Sequence, residues 1–238
     1  MDIQYSYLGY SLIFLLVWGI FYILRPDLRR RMLLFSLIIT PLGPLSEFWF
    51  LRDYWKRPTI MGTPISIEDA IFAFAIGGIA YSIYKVFFKM EVAEVPDSPR
   101  RGSLVVAFFL IILLPLLLLT DLFGINSIFS STLSLLLIAI LIWILRPDLL
   151  KPSIVSGILV MVLFFLVYKG MQVLFPAAIE YWCMGCNPTG LRISGINIEE
   201  LLWDFSWGLA GSVMVEAIMG ELLRSAKEIP ALESEQSR

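Results

Sequence analysis

Runs of roughly 20 apolar residues, each long enough to cross about 30 Å of hydrocarbon, recur along almost the whole chain. Only 16% of the 238 residues are charged and 58% are hydrophobic, whereas soluble domains carry about 25% charge. With a mean hydropathy of +0.83, lipid is the expected solvent for most of the chain, and no separate soluble domain fits. In hydrocarbon a backbone polar group must find its partner within the segment, so the runs are read as helices. The expected fold class is all-α: a polytopic membrane protein with spans near 5 to 24, 32 to 50, 66 to 88, 104 to 123, 127 to 145, 153 to 175 and 198 to 219. The first run lacks the basic flank and small-residue cleavage site of a signal peptide and reads as a retained helix.

Several function classes are excluded at once. Histidine is absent, which removes His-based metal sites and Ser-His or Cys-His nucleophiles. No G-x-G-x-x-G and no G-x-x-x-x-G-K-[ST] occurs, so neither a dinucleotide nor a P-loop nucleotide has a seat. A net charge of -2 supplies no basic stripe for nucleic acid. No metal or cofactor is expected. An enzyme of this composition works with carboxylates, aromatic rings and shape.

Seven spans put the termini on opposite sides. With the N-terminus outside, 13 of the 18 Lys and Arg fall in the cytoplasm, leaving Arg52, Lys56, Arg57, Lys169 and Arg192 outside. The positive-inside rule therefore predicts a multi-pass cell-membrane protein, N-terminus out and C-terminus cytoplasmic. The span from Leu104 through Leu119 is apolar around its whole circumference, and is expected to be a peripheral linker.

The chain also repeats itself. Leu24-Arg25-Pro26-Asp27-Leu28 returns as Leu145-Arg146-Pro147-Asp148-Leu149, Glu47-Phe48-Trp49 as Glu180-Tyr181-Trp182, and Ile67-Glu68-Asp69 as Ile198-Glu199-Glu200, all in the same order. Matched signals in one order indicate duplication. The expected division is a three-helix repeat over 1–90, a linker with its own span over 91–125, a second three-helix repeat over 126–222 and a disordered cytoplasmic tail over 223–238. One linking helix makes the repeats parallel, related by an axis along the membrane normal, and a shared site would lie near that axis.

The matched carboxylates are the candidates for such a site. Glu47 and Glu180 lie near the outer ends of the second helix of each copy, and Glu68 with Asp69 and Glu199 with Glu200 open the third. Ser66 with Asp69 and Asn197 with Glu200 have capping-box spacing, so a structural role accounts for Asp69 and Glu200 more readily than for Glu68 and Glu199. Asp204 follows one turn beyond Glu200 on the same face. Trp49, Phe72, Trp182, Trp203 and Trp207 surround these acids. An aromatic belt would explain some of them, but Phe72 and Trp203 sit one turn inward from the acids, where they would line a pocket. Pro41, Gly43 and Pro44 should kink the second helix. Gly77 and Gly208, at matched places, read as close-packing positions. Cys183 and Cys186 supply only two ligands where structural zinc takes four, and in an oxidising exterior they are expected to form a disulfide.

The stretch Arg52-Asp53-Tyr54-Trp55-Lys56-Arg57-Pro58, then Gly62, then Ile67-Glu68-Asp69-Ala70-Ile71-Phe72, resembles the lycopene cyclase domain of heterodimeric and fused carotenoid cyclases. In that family a Trp- and Pro-containing loop leads into a Pro-x-Glu-Glu-x-x-x-Phe helix start, and two three-helix units make one enzyme. Here Ser66 and Asn197 replace the Pro, Asp69 replaces the second Glu of the first copy, and the second copy has a Cys-containing loop instead of an aromatic one. The resemblance implies non-redox, acid/base ring closure at the ends of an acyclic polyene. It assigns proton donation or removal to Glu68 and Glu199, partnering roles to Asp69 and Glu200, and the opposite wall to Glu47 and Glu180; the division between acid and base stays open. The implied partners are a lipid-soluble polyene or polyprenoid and the bilayer, with homo-oligomerisation left open.

The rival reading is a small-solute transporter, since parallel three-helix repeats about a linker also describe sugar-exporting proteins. Such a protein wants polar residues at mid-membrane, where this chain is apolar. A prenyltransferase would need paired D-x-x-D magnesium sites, and a retinal protein a Schiff-base Lys in the last span, where residues 198 to 219 contain none.

Overall fold

The structure, a computed structural model, describes residues 2–93, 102–182 and 188–225. Cys183 and Cys186, and all of the expected tail beyond Ser225, lie outside these described residues. A short 3-10 turn, Ile3–Tyr5, enters α1 (Ser6–Leu24), which stops where Pro26 cannot continue it and a 3-10 turn, Pro26–Leu28, forms. Two helices follow, α2 (Arg29–Ile39) and α3 (Leu42–Asp53), bent by 41° where the chain reads Thr40-Pro41-Leu42-Gly43-Pro44. The kink is the one the prolines predict, and Gly43 makes it compact: a Cβ there would lie 2.7 Å from the Ala73 Cβ. A loop leads to α4 (Ile67–Phe88) and the strand β1 (Met90–Ala93).

The second part opens with α5 (Gly102–Pro115), which continues as a π-helical stretch, Leu116–Leu122. Then come α6 (Ser127–Leu145), a 3-10 turn at Pro147–Leu149, α7 (Leu150–Leu174), the short α8 (Ala178–Trp182), a hairpin of β2 (Arg192–Ile193) and β3 (Ile196–Asn197), α9 (Ile198–Gly211), α10 (Met214–Met219) and β4 (Leu222–Ser225). Asp53 at the end of α3 starts α6, accepting the Ser127 backbone N–H at 2.8 Å.

Among the described residues five helices are long and apolar enough to cross a membrane, or six if the bent α2–α3 pair counts as one. This differs from the expected seven at the last segment. The 198 to 219 run breaks at Ser212 and Val213 into α9 and α10, and it carries Glu199, Glu200, Asp204 and Glu216, so neither length nor composition passes. The remaining spans fall close to the expected positions.

Helices α4 and α9 form the centre. The most apolar window of α4 is 72% buried, that of α5 only 24%, and α4 packs on α1, α2, α3, α7 and α9 while α9 packs on α4, α6 and α7. Gly208 lets α9 touch α7, since a Cβ there would lie 2.7 Å from the Gly157 Cα. Gly77 similarly lets α4 approach α2, where a Cβ would meet that of Ile39 at 3.1 Å. The two central elements run in parallel and finish together: β1 after α4 pairs antiparallel with β4 after α10, Val92 opposite Leu223.

At this end of the bundle the same local arrangement occurs twice. Arg25 binds Asp27 at 2.6 Å and donates to the carbonyls of Lys85 and Met90; Arg146 binds Asp148 at 2.7 Å and donates to the carbonyls of Glu216 and Glu221. Between them Lys85 and Glu216 face each other at 2.9 Å, both wholly buried, and Lys85 also donates to the Ser212 carbonyl. Breaking a buried pair on one side strands a charge and typically costs about 3–5 kcal/mol, whereas replacing both partners by well-packed neutral groups is often neutral. Lys85→Met should therefore lower the midpoint of thermal unfolding in detergent strongly, and adding Glu216→Met should restore most of the loss.

Candidate functional site

At the opposite end, near the loops that precede α4 and α9, a cavity of about 1040 Å³, counting the space at its mouth, lies between α3, α4, α5, α6 and α9. Its lining is mostly apolar, with Leu42, Leu45, Ile76, Leu113, Leu116 and Leu135 among its walls. Three carboxylates, Glu47, Asp69 and Glu200, face into it with Tyr7, Tyr54 and Tyr168. A concave apolar space with a few placed polar groups is the form a binding site for a small or medium-sized molecule takes.

One wall is organised by a charge from the loop after α3. Arg57 is buried; its Nη1 donates to Glu47 Oε2 at 2.7 Å and its Nη2 to Asp69 Oδ1. The guanidinium also lies 4.1 Å from the Tyr7 ring centre and 4.7 Å from that of Trp55. Burial works against its charge, but Tyr7, Glu47 and Asp69 together hold its pKa above the usual arginine value. The carboxylates have further donors: Tyr7 Oη to Asp69 at 2.9 Å, Trp55 Nε1 to Glu47 at 3.2 Å, and the Ser66 backbone N–H to Asp69 Oδ2 at 2.7 Å. This last bond is the capping box expected for α4, so Asp69 both starts the helix and faces the site.

The other wall is organised differently. Glu200 accepts the Tyr168 hydroxyl at 2.9 Å, and among the described residues no Lys or Arg is paired with it. Tyr54 lies close enough for the two charges to interact, although its hydroxyl makes no hydrogen bond of normal geometry. Trp203 and Trp207 line this side with nearly parallel rings, centroids 6.2 Å apart, and the Trp207 indole donates to the Ile76 carbonyl at 3.2 Å.

The matched acids thus separate. Glu68 and Glu199 are buried but turned toward the loops before their own helices: Glu68 accepts the Ile60 backbone N–H at 2.7 Å, and Glu199 the Thr189 backbone N–H at 3.1 Å. Neither lines the cavity. Glu180 is exposed on α8 and lies apart from it as well. Of the aromatic residues, Trp49, Phe72, Trp203 and Trp207 line the space, and Trp49 donates to Asp121 at 3.1 Å. Trp182 stands behind it, its indole on Ser6 Oγ at 3.0 Å and its ring edge-on to Tyr7 and Tyr10.

Sequence reasoning missed Arg57, Tyr7 and Tyr168. Arg57 reads as a headgroup-facing charge; the one available signal is that acids crowd this end of the chain with no cation assigned to them. Arg57→Met leaves two buried carboxylates sharing no positive charge, and a loss of about 3–5 kcal/mol is expected. Thermal unfolding in detergent should show it, with Arg57→Lys recovering only part, because an ammonium lacks the planar fork that reaches both acids.

The family model described as Lycopene cyclase matches residues 126–218. No curated protein and no solved structure matches the chain. The matched segment holds Glu200, Trp203 and Trp207, which form one wall of the cavity. The segment from the N-cap of α6 to the penultimate residue of α10 is thus similar to the lycopene cyclase family.

Proposed function

We propose that this protein is a membrane carotenoid cyclase that closes the ends of an acyclic, lycopene-type polyene into rings without net oxidation, an intramolecular isomerisation. The observation that carries this reading is the asymmetry of the cavity walls: two carboxylates held by Arg57 face one uncompensated carboxyl across an apolar, aromatic space.

The roles follow from charge. Glu47 and Asp69 share the Arg57 guanidinium, and a carboxylate ion-paired with a cation suits a base. Glu200 has no cation beside it among the described residues and accepts from a tyrosine, and a carboxyl in such surroundings favours the neutral form that can donate. In the proposed reaction Glu200 gives its proton to the terminal double bond, forming a C–H bond and a tertiary cation. The neighbouring alkene supplies its π electrons to close the ring, and Glu47 removes a proton from the new cation to form the ring double bond. Asp69, tied to the α4 cap and Tyr7, holds Arg57 in place. The faces of Trp203, Trp207 and Phe72 stabilise the passing positive charge without forming a bond to it, and the apolar walls keep out the water that would quench it.

The duplication belongs to the same proposal. Residues 131 positions apart touch one another at three levels: Ile76 with Trp207, Lys85 with Glu216, and Val92 with Leu223. Contact between matched positions is what an axis between two parallel copies produces, and it supports units at 1–90 and 126–222 with 91–125 as linker. The parallel run of α4 and α9–α10 favours counting the last pair as one broken crossing, which would put the termini on opposite sides, as the proposed N-terminus-out, C-terminus-cytoplasmic orientation requires.

Expression in a lycopene-accumulating bacterium tests the activity, with cyclic carotenoid as the expected product. Glu200→Gln and Glu47→Gln should each lower ring formation by roughly 100-fold or more, the usual effect of losing a general acid or base. Glu68→Gln and Glu199→Gln remove a loop anchor but no group from the cavity, so turnover in intact membranes should stay within a few-fold. Undiminished cyclisation by Glu200→Gln would refute the assignment.

A further inference from the structure

Asp204 stands one turn beyond Glu200 on α9, wholly buried, and neither of its carboxyl oxygens has a hydrogen-bond partner. It does not line the cavity. It lies behind Glu200, near Tyr10 of α1 and Tyr168 of α7, close enough for their charges to act on one another. An isolated carboxylate in such a place costs several kcal/mol or more, so the group is held as the neutral acid. Nothing in packing asks for it: at the position 131 residues earlier the chain has Ala73.

A row of tyrosines runs from the other wall to Glu200, passing near this acid. Tyr7 donates to Asp69 at 2.9 Å, its ring is 6.4 Å from that of Tyr10, the Tyr10 ring is 5.5 Å from that of Tyr168, and Tyr168 donates to Glu200 at 2.9 Å. The Tyr10 hydroxyl is buried and unpartnered, like Asp204. Ring closure itself creates the need for such a row. It leaves Glu200 without a proton and Glu47 with one, while substrate and product hold the same number of hydrogens.

We propose that Asp204 is the proton store of Glu200, refilled along Tyr7, Tyr10 and Tyr168. This rests on the cyclase reading above. After each closure the Asp204 carboxyl gives its proton to the Glu200 carboxylate. The proton removed from the ring then passes from the Glu47–Asp69 wall through the tyrosine hydroxyls, each taking one proton and releasing another, and neutralises Asp204. No oxidant or reductant takes part. Asp204 acts through Glu200 and does not touch the polyene, which makes it a positioning residue of the proton path.

The test separates the first turnover from later ones, using the full-length protein in membranes with lycopene. Asp204→Asn and Tyr10→Phe should form one ring per protein at the unaltered rate when protein is in excess. With lycopene in excess, steady-state ring formation should fall at least about 10-fold, because Glu200 is not recharged. Asp204→Ala, which places at 204 the residue type found at 73, should behave the same way and guards against a variant that fails to fold. Unchanged steady-state rates, or first and later turnovers falling together, overturn the proposal. No ring from the unaltered protein overturns instead the cyclase reading on which it stands.

Discussion

A guanidinium shut off from water holds one wall of the cavity in place. Arg57 comes from a loop, and what it grips, Glu47 on α3 and Asp69 on α4, belongs to two helices that also meet at the tight Gly43 contact. Tyr7 on α1 and Trp55 in the loop complete the enclosure. Taking such charges out of water is expensive, and the attraction between them offsets it only when the remaining donors and acceptors are also satisfied. Here the indole of Trp55, the hydroxyl of Tyr7 and the backbone of Ser66 supply donors to the two carboxylates, while Arg57 Nε has no hydrogen-bond partner. The arrangement ties α3 to the start of α4, since one guanidinium reaches an acid on each.

If the chain is read as two copies, as proposed above, matched positions are filled differently on the two sides of the cavity. Tyr7, Tyr10 and Phe14 of α1 correspond to Ile128, Ser131 and Leu135 of α6, 121 residues later. The α1 residues are large and fill the core against Phe72, Phe164 and Trp182. Their smaller α6 counterparts leave space, and Ile128, Ser131 and Leu135 all line the cavity. α5 closes this space from the side with Ile112, Leu113 and Leu116, so the peripheral linker also serves as a wall.

Much of the fold was legible because hydropathy reports directly on what lipid tolerates. Runs 5 to 24, 66 to 88 and 127 to 145 fall within a few residues of their helices, and the prolines at 26, 41 and 147 mark the breaks. The last segment was not legible in the same way, since averaging over 198 to 219 hides a break at Ser212 and Val213 that depends on tertiary contacts. The site was half legible. Local spacing found Asp69 and its cap, and it found Phe72 and Trp203 one turn inward. Spacing alone gives no sign of which way a loop folds, and the loop's path sends Ile60 to Glu68 and Thr189 to Glu199. The two acids that looked least occupied by their own helix starts are therefore the ones tied up by the loops just before them. Arg57 was hidden for the converse reason: a charge near a membrane interface is by default solvated, and only the closed loop removes it from water.

On the proposed roles, the distribution of charge is what would let an acid and a base coexist about one space. In water two carboxylates of similar chemistry would titrate together. In an apolar cavity each responds strongly to the groups around it, because little solvent screens their fields. Glu47 has Arg57 at 2.7 Å and an indole donor; Glu200 has a phenol at 2.9 Å and, one turn along α9, another buried carboxyl. A second ionised carboxylate at Asp204 would oppose ionisation at Glu200, while a neutral Asp204 leaves Glu200 free to lose one proton and regain it. The placement of a single cation on one wall, with none opposite among the described residues, makes the two walls of an otherwise apolar cavity electrostatically unlike.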